Sequence, residues 1–217
     1  MVLVFLMIRS IRKNYIVDYL VKKYGDQDFK IEKIIPSIDP EFGDFLVPIK
    51  IKPDGYIILV STSKLEKPFM FSINSLNPFD LKDTTDSFIN DYYTETVNNH
   101  FSSKYNLKPV FMISESKILE KYEGKIPTMD ELIESDAIVY TDIYVDYKGD
   151  NLNNNVQYVK ELLLDFAKFL KISKPMKLDV YLSNDDIKYE YNVTIHGDVI
   201  TIDGGPNPYT YGIYDLK

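Results

Sequence analysis

The stretch AIVYTDIYVDYK, residues 137–148, is followed after Gly149-Asp150 by LNNNVQYVKELLLDFAKFLK, residues 152–171. Together they carry both periodicities from which a fold is built. The first segment predicts a long, tyrosine-rich strand that Gly149-Asp150 ends, and its alternation puts Asp142 and Asp146 on one solvent face. In the second, Leu152, Val156, Val159, Leu163, Phe166 and Leu170 recur at helical spacing, predicting the chain's best helix, which stops before Pro175. A hairpin meander is predicted next: Met176–Leu182, Ile187–Ile195, a turn at His196-Gly197-Asp198, then Val199–Ile202.

Upstream, the same two signals recur. Ile8, Ile11, Tyr15 and Tyr19, with Ile16, Leu20 and Tyr24, predict a first helix over Ile8–Tyr24, stopped by Gly25. Phe29–Ile35 alternates as a strand until Pro36, and Asp44–Lys52 predicts a second strand with Pro48 marking an edge or a bulge. Pro53-Asp54-Gly55 is a turn into a strand at Tyr56–Val60, and Phe69–Ile73 is a further short strand. Phe88 and Tyr92, with Ile89, Tyr93, Val97 and Phe101, predict an amphipathic helix capped by Asp83 or Thr84. Leu107–Ser114 reads as a strand, and Pro127-Thr128-Met129-Asp130-Glu131 as a capping box opening a short helix. This order predicts an α+β fold, with helices packed on antiparallel meander sheets in two stacked α+β modules. Residues 1–80 supply a helix plus antiparallel strands, and 81–217 a helix–strand module with a C-terminal hairpin meander, divided near Asn77–Asp83. The tail Pro206–Tyr214 is too rich in proline and glycine to predict a regular element.

The 217 residues are ample for a hydrophobic core, and 45% hydrophobic with 27% charged residues is ordinary for a globular protein. A net charge of −8 argues against a nucleic-acid partner, which demands a basic footprint to replace counterions on phosphate. The acids are interspersed with 25 Lys and Arg, so solubility accounts for them better than mimicry of DNA does. The absence of cysteine removes disulfides, thiolate metal sites, Cys nucleophiles and a lipid-bearing Cys. Eighteen tyrosines and twelve phenylalanines supply the bulk that tryptophan, absent here, does not.

Catalytic signals are weak. His100 falls late in a helix beside Phe101, and His196 in a hairpin turn, and neither accompanies a Gly-x-Ser-x-Gly elbow. Asp142, Asp146, Asp150 and Asn151, with Asn153 to Asn155, form the densest oxygen cluster but lack the spacing of a calcium loop. A solvated strand edge with a helix cap explains them better, and turn chemistry explains Asp185-Asp186. Asp203-Gly204-Gly205 follows a strand yet opens no helix, so it makes no phosphate cradle. The sequence therefore implies no catalytic residues, no metal and no cofactor. Tyr209, Tyr211 and Tyr214 in the tail are the candidate contacts for a protein partner, against a reading in which they close the chain's own sheet.

The chain opens with the apolar run Met1–Ile8, followed by Arg9, Arg12 and Lys13. Eight residues fall short of the roughly 20 that cross a bilayer, and a secretory signal has its charges before its apolar run. The run is either the first turn of a buried helix or the cut end of a membrane anchor. Asp18-Tyr-Leu-Val-Lys-Lys-Tyr-Gly-Asp-Gln-Asp-Phe-Lys-Ile31 resembles small uncharacterised envelope proteins of Gram-positive bacteria, membrane-anchored or lipoprotein-like. Asp86-Ser-Phe-Ile-Asn-Asp-Tyr-Tyr93 is similar to their second helix. The resemblance covers the first half of the chain and departs from the family at the start, where those proteins carry a full anchor. It implies a non-catalytic envelope- or membrane-associated protein with a binding role and carries over no site residues. The alternative is a cytosolic protein-interaction module of the immunity or mobile-element kind, with a carboxylate hydrolase a distant third.

Overall fold

The computed structural model describes residues 2–37, 55–77, 81, 87–101, 103–114, 123–147, 152–183 and 188–208. The expected strand over Asp44–Lys52 and the caps Asp83 and Thr84 lie outside these residues. The fold is α+β, with four helices and two sheets among the described residues. The chain divides into two compact units, Met1–Asp91 with Leu119–Ile126, and Tyr92–Ile118 with Pro127–Lys217.

In the first unit, helix α1 (Val2–Tyr24) accompanies an antiparallel meander of β1 (Lys30–Ser37), β2 (Gly55–Ser61) and β3 (Phe69–Ile73), in the order β1-β2-β3. Ile16, Leu20 and Tyr24 recur every fourth residue and are all buried, which fixes the core-facing stripe of α1. The strands answer with Ile58, Val60, Phe69, Phe71 and Ile73 on one face. Tyr24, Phe29, Phe69 and Phe88 form a cluster with ring centroids 4.7–6.2 Å apart, within the range where tilted and edge-on rings attract. Gly25 ends α1 in the left-handed region, φ +76°, its amide bonded to the Val21 carbonyl. A Cβ there would meet the Gly124 carbonyl oxygen at 2.7 Å, because the loop at 123–125 returns to the end of this helix. Gly124 donates to Lys23 O, and Lys22 pairs with Glu123 at 3.1 Å. No local sequence pattern predicts this return.

The second unit holds a five-stranded sheet, β4 (Leu107–Ile113), β5 (Ile138–Asp146), β6 (Met176–Ser183), β7 (Lys188–His196) and β8 (Val199–Pro208), ordered β4-β5-β6-β7-β8. Its helices are α3 (Met129–Glu134), α4 (Leu152–Leu170) and most of α2 (Ser87–Phe101), since the unit boundary falls within α2. One sheet face is buried through Phe111, Ile143, Val145, Leu178, Val180 and Val193. Against it lie Val159, Leu162, Leu163, Phe166 and Ala167 of α4, with the Phe166 ring stacked on Phe101 and on Phe111 at centroid distances of 6.5 and 6.4 Å. Burial of each of these valine, leucine and phenylalanine side chains contributes about 1.5–3 kcal/mol.

Three features correct the sequence reading. The pairing of β5 with β6 is parallel, Asp142 opposite Asp179 through Asp146 opposite Ser183, so the sheet is mixed and not wholly a meander. The nineteen residues of α4 supply the crossover that a parallel return requires. β5 is consequently an inner strand, where a solvated edge was expected. Finally, β8 runs on through Asp203-Gly204-Gly205-Pro206-Asn207-Pro208, paired with β7 across register shifts between Glu190 and Val193. An outermost strand tolerates the prolines because a missing amide can face outward, and glycine pairs inside strands mark bulges. Gly205 sits at φ +101°, and a Cβ on it would lie 2.4 Å from the Glu190 carbonyl oxygen.

Helix ends follow the sequence more closely. Thr128 and Glu131 form the expected capping box: Thr128 accepts from the Glu131 amide and the Glu131 carboxylate accepts from the Thr128 amide. α4 ends with Lys171 at φ +56°, its amide bonded to Lys168 O and that of Ile172 to Ala167 O. This is the double bond of a Schellman ending, with lysine where glycine is the usual occupant. Two substitutions should therefore act in opposite directions in chemical denaturation. Lys171→Gly relieves a left-handed lysine and is expected to stabilise by about 0.5–1 kcal/mol. Gly205→Ala meets both backbone strain and a carbonyl and is expected to cost about 1–3 kcal/mol. Gly197, at φ +58° with nothing within 4 Å, provides the strain-only control.

Candidate binding face

Because α2 and α4 cover one face of the five-stranded sheet, strand alternation turns the intervening residues outward. The register assembles them into rows. One row is Val110, Asp142, Asp179, Asn192 and Gly204, and the next is Lys108, Tyr144, Tyr181 and Glu190. The Tyr144 and Tyr181 rings are stacked, 4.8 Å between centroids and 13° between planes. Beside them the Tyr144 hydroxyl approaches Asp142 Oδ2 at 3.4 Å, and Asn192 Nδ2 donates to Asp179 Oδ1 at 2.7 Å.

Towards the other end of the face, Tyr140 stands opposite Met112, Lys177 opposite Thr194, and Val199 opposite His196. Met112, Val139, Tyr140 and Val199 are 46%, 56%, 45% and 62% exposed, the large apolar residues that this unit leaves in water among those described. A groove of about 480 Å³ crosses this end, lined by Tyr140, Lys177, Asp179, Asn192, Thr194 and Asp203 among others. The Thr194 hydroxyl donates to Asp203 and fixes that carboxylate at the groove's side.

The electrostatics of the face are one-sided. Burial raises the Asp142 carboxyl above the ordinary aspartate value, and the Asp179 charge adds to it. The Tyr144 hydroxyl opposes the rise, and the Glu190 charge reinforces it. Tyr181 is likewise pushed up by burial, then by Asp142, Glu190 and Asp179. None of these influences is cationic. Elsewhere in this unit carboxylates are satisfied by design of the loops. Burial alone would raise Asp130, but its bonds from the Ser173 hydroxyl and from the Ser173 and Lys174 amides hold it below the usual range. Asp165 is lowered by bonds from Lys104 and the Tyr105 hydroxyl.

The residues singled out in the sequence distribute differently. Tyr209, Tyr211 and Tyr214 lie outside the described residues, as do Asp150, Asn151, Asp185 and Asp186. Asp142 and Asp146 do share the outward face, half-buried, and Asp146 accepts from Asn106 Nδ2. Asn155 is buried in α4, and Asp203-Gly204-Gly205 is the bulge of β8. His100 stacks on Phe169 with centroids 3.8 Å apart, and His196 is exposed at its hairpin. No group of three or more His, Asp or Glu among the described residues could hold a metal ion. Sequence patterns single out none of Asp179, Tyr181 and Glu190. Their outward positions follow from alternation, but joining them to Asp142 required the parallel register. Comparison with protein-family models, with curated proteins and with solved structures finds no match.

The two kinds of carboxylate have opposite pH signatures. A carboxyl raised in the folded state costs nothing below its unfolded value and weakens the fold fully once pH exceeds the folded value. Asp142→Asn is therefore expected to stabilise the protein at neutral pH, the gain vanishing as pH falls into the ordinary aspartate range. Asp130 is lowered, so its contribution is present above the unfolded value and is lost on acidification. Asp130→Asn is expected to destabilise at neutral pH and converge with wild type in acid. Denaturant midpoints of the three proteins across pH 3–8, a range chosen to bracket the aspartate value of about 3.9, provide the measurement.

Proposed function

We propose that this chain is a non-catalytic binding protein, acting at the cell membrane or envelope, whose protein partner docks on the open face of the second unit's sheet. The observation that supports it is the composition of that face. A stacked tyrosine pair, the exposed Tyr140, five carboxylates and an apolar rim occupy one side of a sheet whose other side packs into the core. Tyrosine offers a large contact area at low entropic cost and is enriched where proteins meet. The groove at one end gives such a partner a place to anchor a side chain.

The membrane or envelope location rests on the resemblance in the first half of the chain and on the start of α1. The run Val2–Ile8 belongs to the same unbroken helix as the buried Ile16, Leu20 and Tyr24. No helix among the described residues is long and apolar enough to cross a membrane. A cytosolic interaction module would use the same docking face and differ in location.

Two experiments separate these parts. With a photo-crosslinking residue in place of Tyr140, cells of the source organism should give a discrete crosslinked partner, and Asp179→Lys should abolish it without lowering the melting temperature. A crosslink indifferent to Asp179→Lys overturns the docking face. Fractionation of full-length protein should place it with membranes; recovery wholly in the soluble cytosol overturns the location and leaves docking standing.

A further inference from the structure

We infer that the open face takes a cationic side chain of its protein partner, an arginine, seated on the Tyr144–Tyr181 stack between Asp142 and Glu190. This deepens the docking reading and rests on it. Directly opposed like charges on neighbouring strands cost stability, and the parallel register sets Asp142 opposite Asp179 in this way. The adjacent row adds Glu190 opposite Tyr181. Asp179 is engaged by the Asn192 amide and Asp203 by the Thr194 hydroxyl, both neutral donors. Among the described residues the groups that influence Asp142 are burial, Asp179, Tyr144 and Glu190, none of them cationic, which suits a positive group from a partner. Among the residues whose side chains are described, the lysines on this face are Lys108, in the row of Tyr144 at its β4 side, and Lys177, in the groove at the other end. Against them stand Asp142, Asp146, Asp179, Glu190 and Asp203, so the described side chains of the face carry net negative charge.

Complementarity to a positive partner follows, and the geometry selects among positive groups. No described trio of acids suits a metal ion. Two tyrosine rings 13° from parallel present aromatic surface beside carboxylates. A guanidinium is planar, stacks on aromatic faces and pairs with a carboxylate through two donors, whereas an ammonium is a compact, strongly hydrated point charge. A partner strand or loop presenting one arginine over β5–β7 meets each of these groups together.

The test uses the full-length, ¹⁵N-labelled protein and a synthetic decapeptide with one central arginine among threonines and serines. A second peptide carries citrulline, which keeps the shape of arginine without its charge. The arginine peptide should shift the amide resonances of Asp142, Tyr144, Asp179, Tyr181 and Glu190, and the citrulline peptide should not. Asp142→Asn combined with Glu190→Gln should weaken binding about tenfold, the scale of losing two partly exposed charge pairs. Shifts scattered over the acidic surface, equal shifts from both peptides, or unchanged affinity in the double variant each overturn the arginine. The crosslinked partner separates this failure from that of the docking face. A partner lost with Asp179→Lys but retained with the neutral double variant keeps the face and removes the cation; a partner retained in both removes both.

Discussion

The Phe166 ring, stacked between Phe101 and Phe111 beneath the sheet, is the contact on which the second unit turns. α4 can bury its apolar stripe on one side of the five strands only, and the described helices of this unit share the same core. Alternation then commits every second residue of β4 to β7 to the other side. The open face is thus a consequence of how the core is filled. Its acids and tyrosines are arranged by register, and the same α4 that builds the core sets that register, because it carries the chain back to pair β6 parallel to β5. The repulsion between Asp142 and Asp179 is tolerated because the burial beneath it is worth far more than two half-exposed charges can cost.

The first unit solves the same problem on a smaller scale. Three short strands offer little area, and four aromatic rings from three separate elements and the intervening loop supply the bulk. The enrichment in Phe and Tyr noted in the sequence has a structural use here. In the second unit tyrosine is divided by position: Tyr191 and Tyr93 are buried, Tyr144 and Tyr181 half-buried on the open face. Composition alone carries no such distinction.

What was legible in the sequence was local. Helix α4, the Thr128 capping box and the strands at Phe69 and Met176 fall where period, cap and breaker residues place them, because each signal and its structure lie within a few residues. What was not legible was pairing. The return of Gly124 to the end of α1 is fixed by a close backbone approach a hundred residues away in sequence, which leaves no pattern beyond an isolated glycine. The parallel join of β5 to β6 changes no residue's burial, only its neighbour, so Asp142 could be assigned an outward direction but not its partner Asp179. Gly204, Gly205, Pro206 and Pro208 read as breakers and stop the expected strand at Ile202; at the margin of the described sheet they are compatible with pairing on one side.

That position has a further consequence. A sheet whose last strand is flat and fully amide-bearing offers a template on which another chain can grow, and repeated growth ends in fibrils. Here one terminal strand contains Pro109 and the other a glycine bulge followed by two prolines, so the outward row of donors is broken at both margins. Growth of this sheet by edge-to-edge pairing is thereby disfavoured along the described length of both terminal strands.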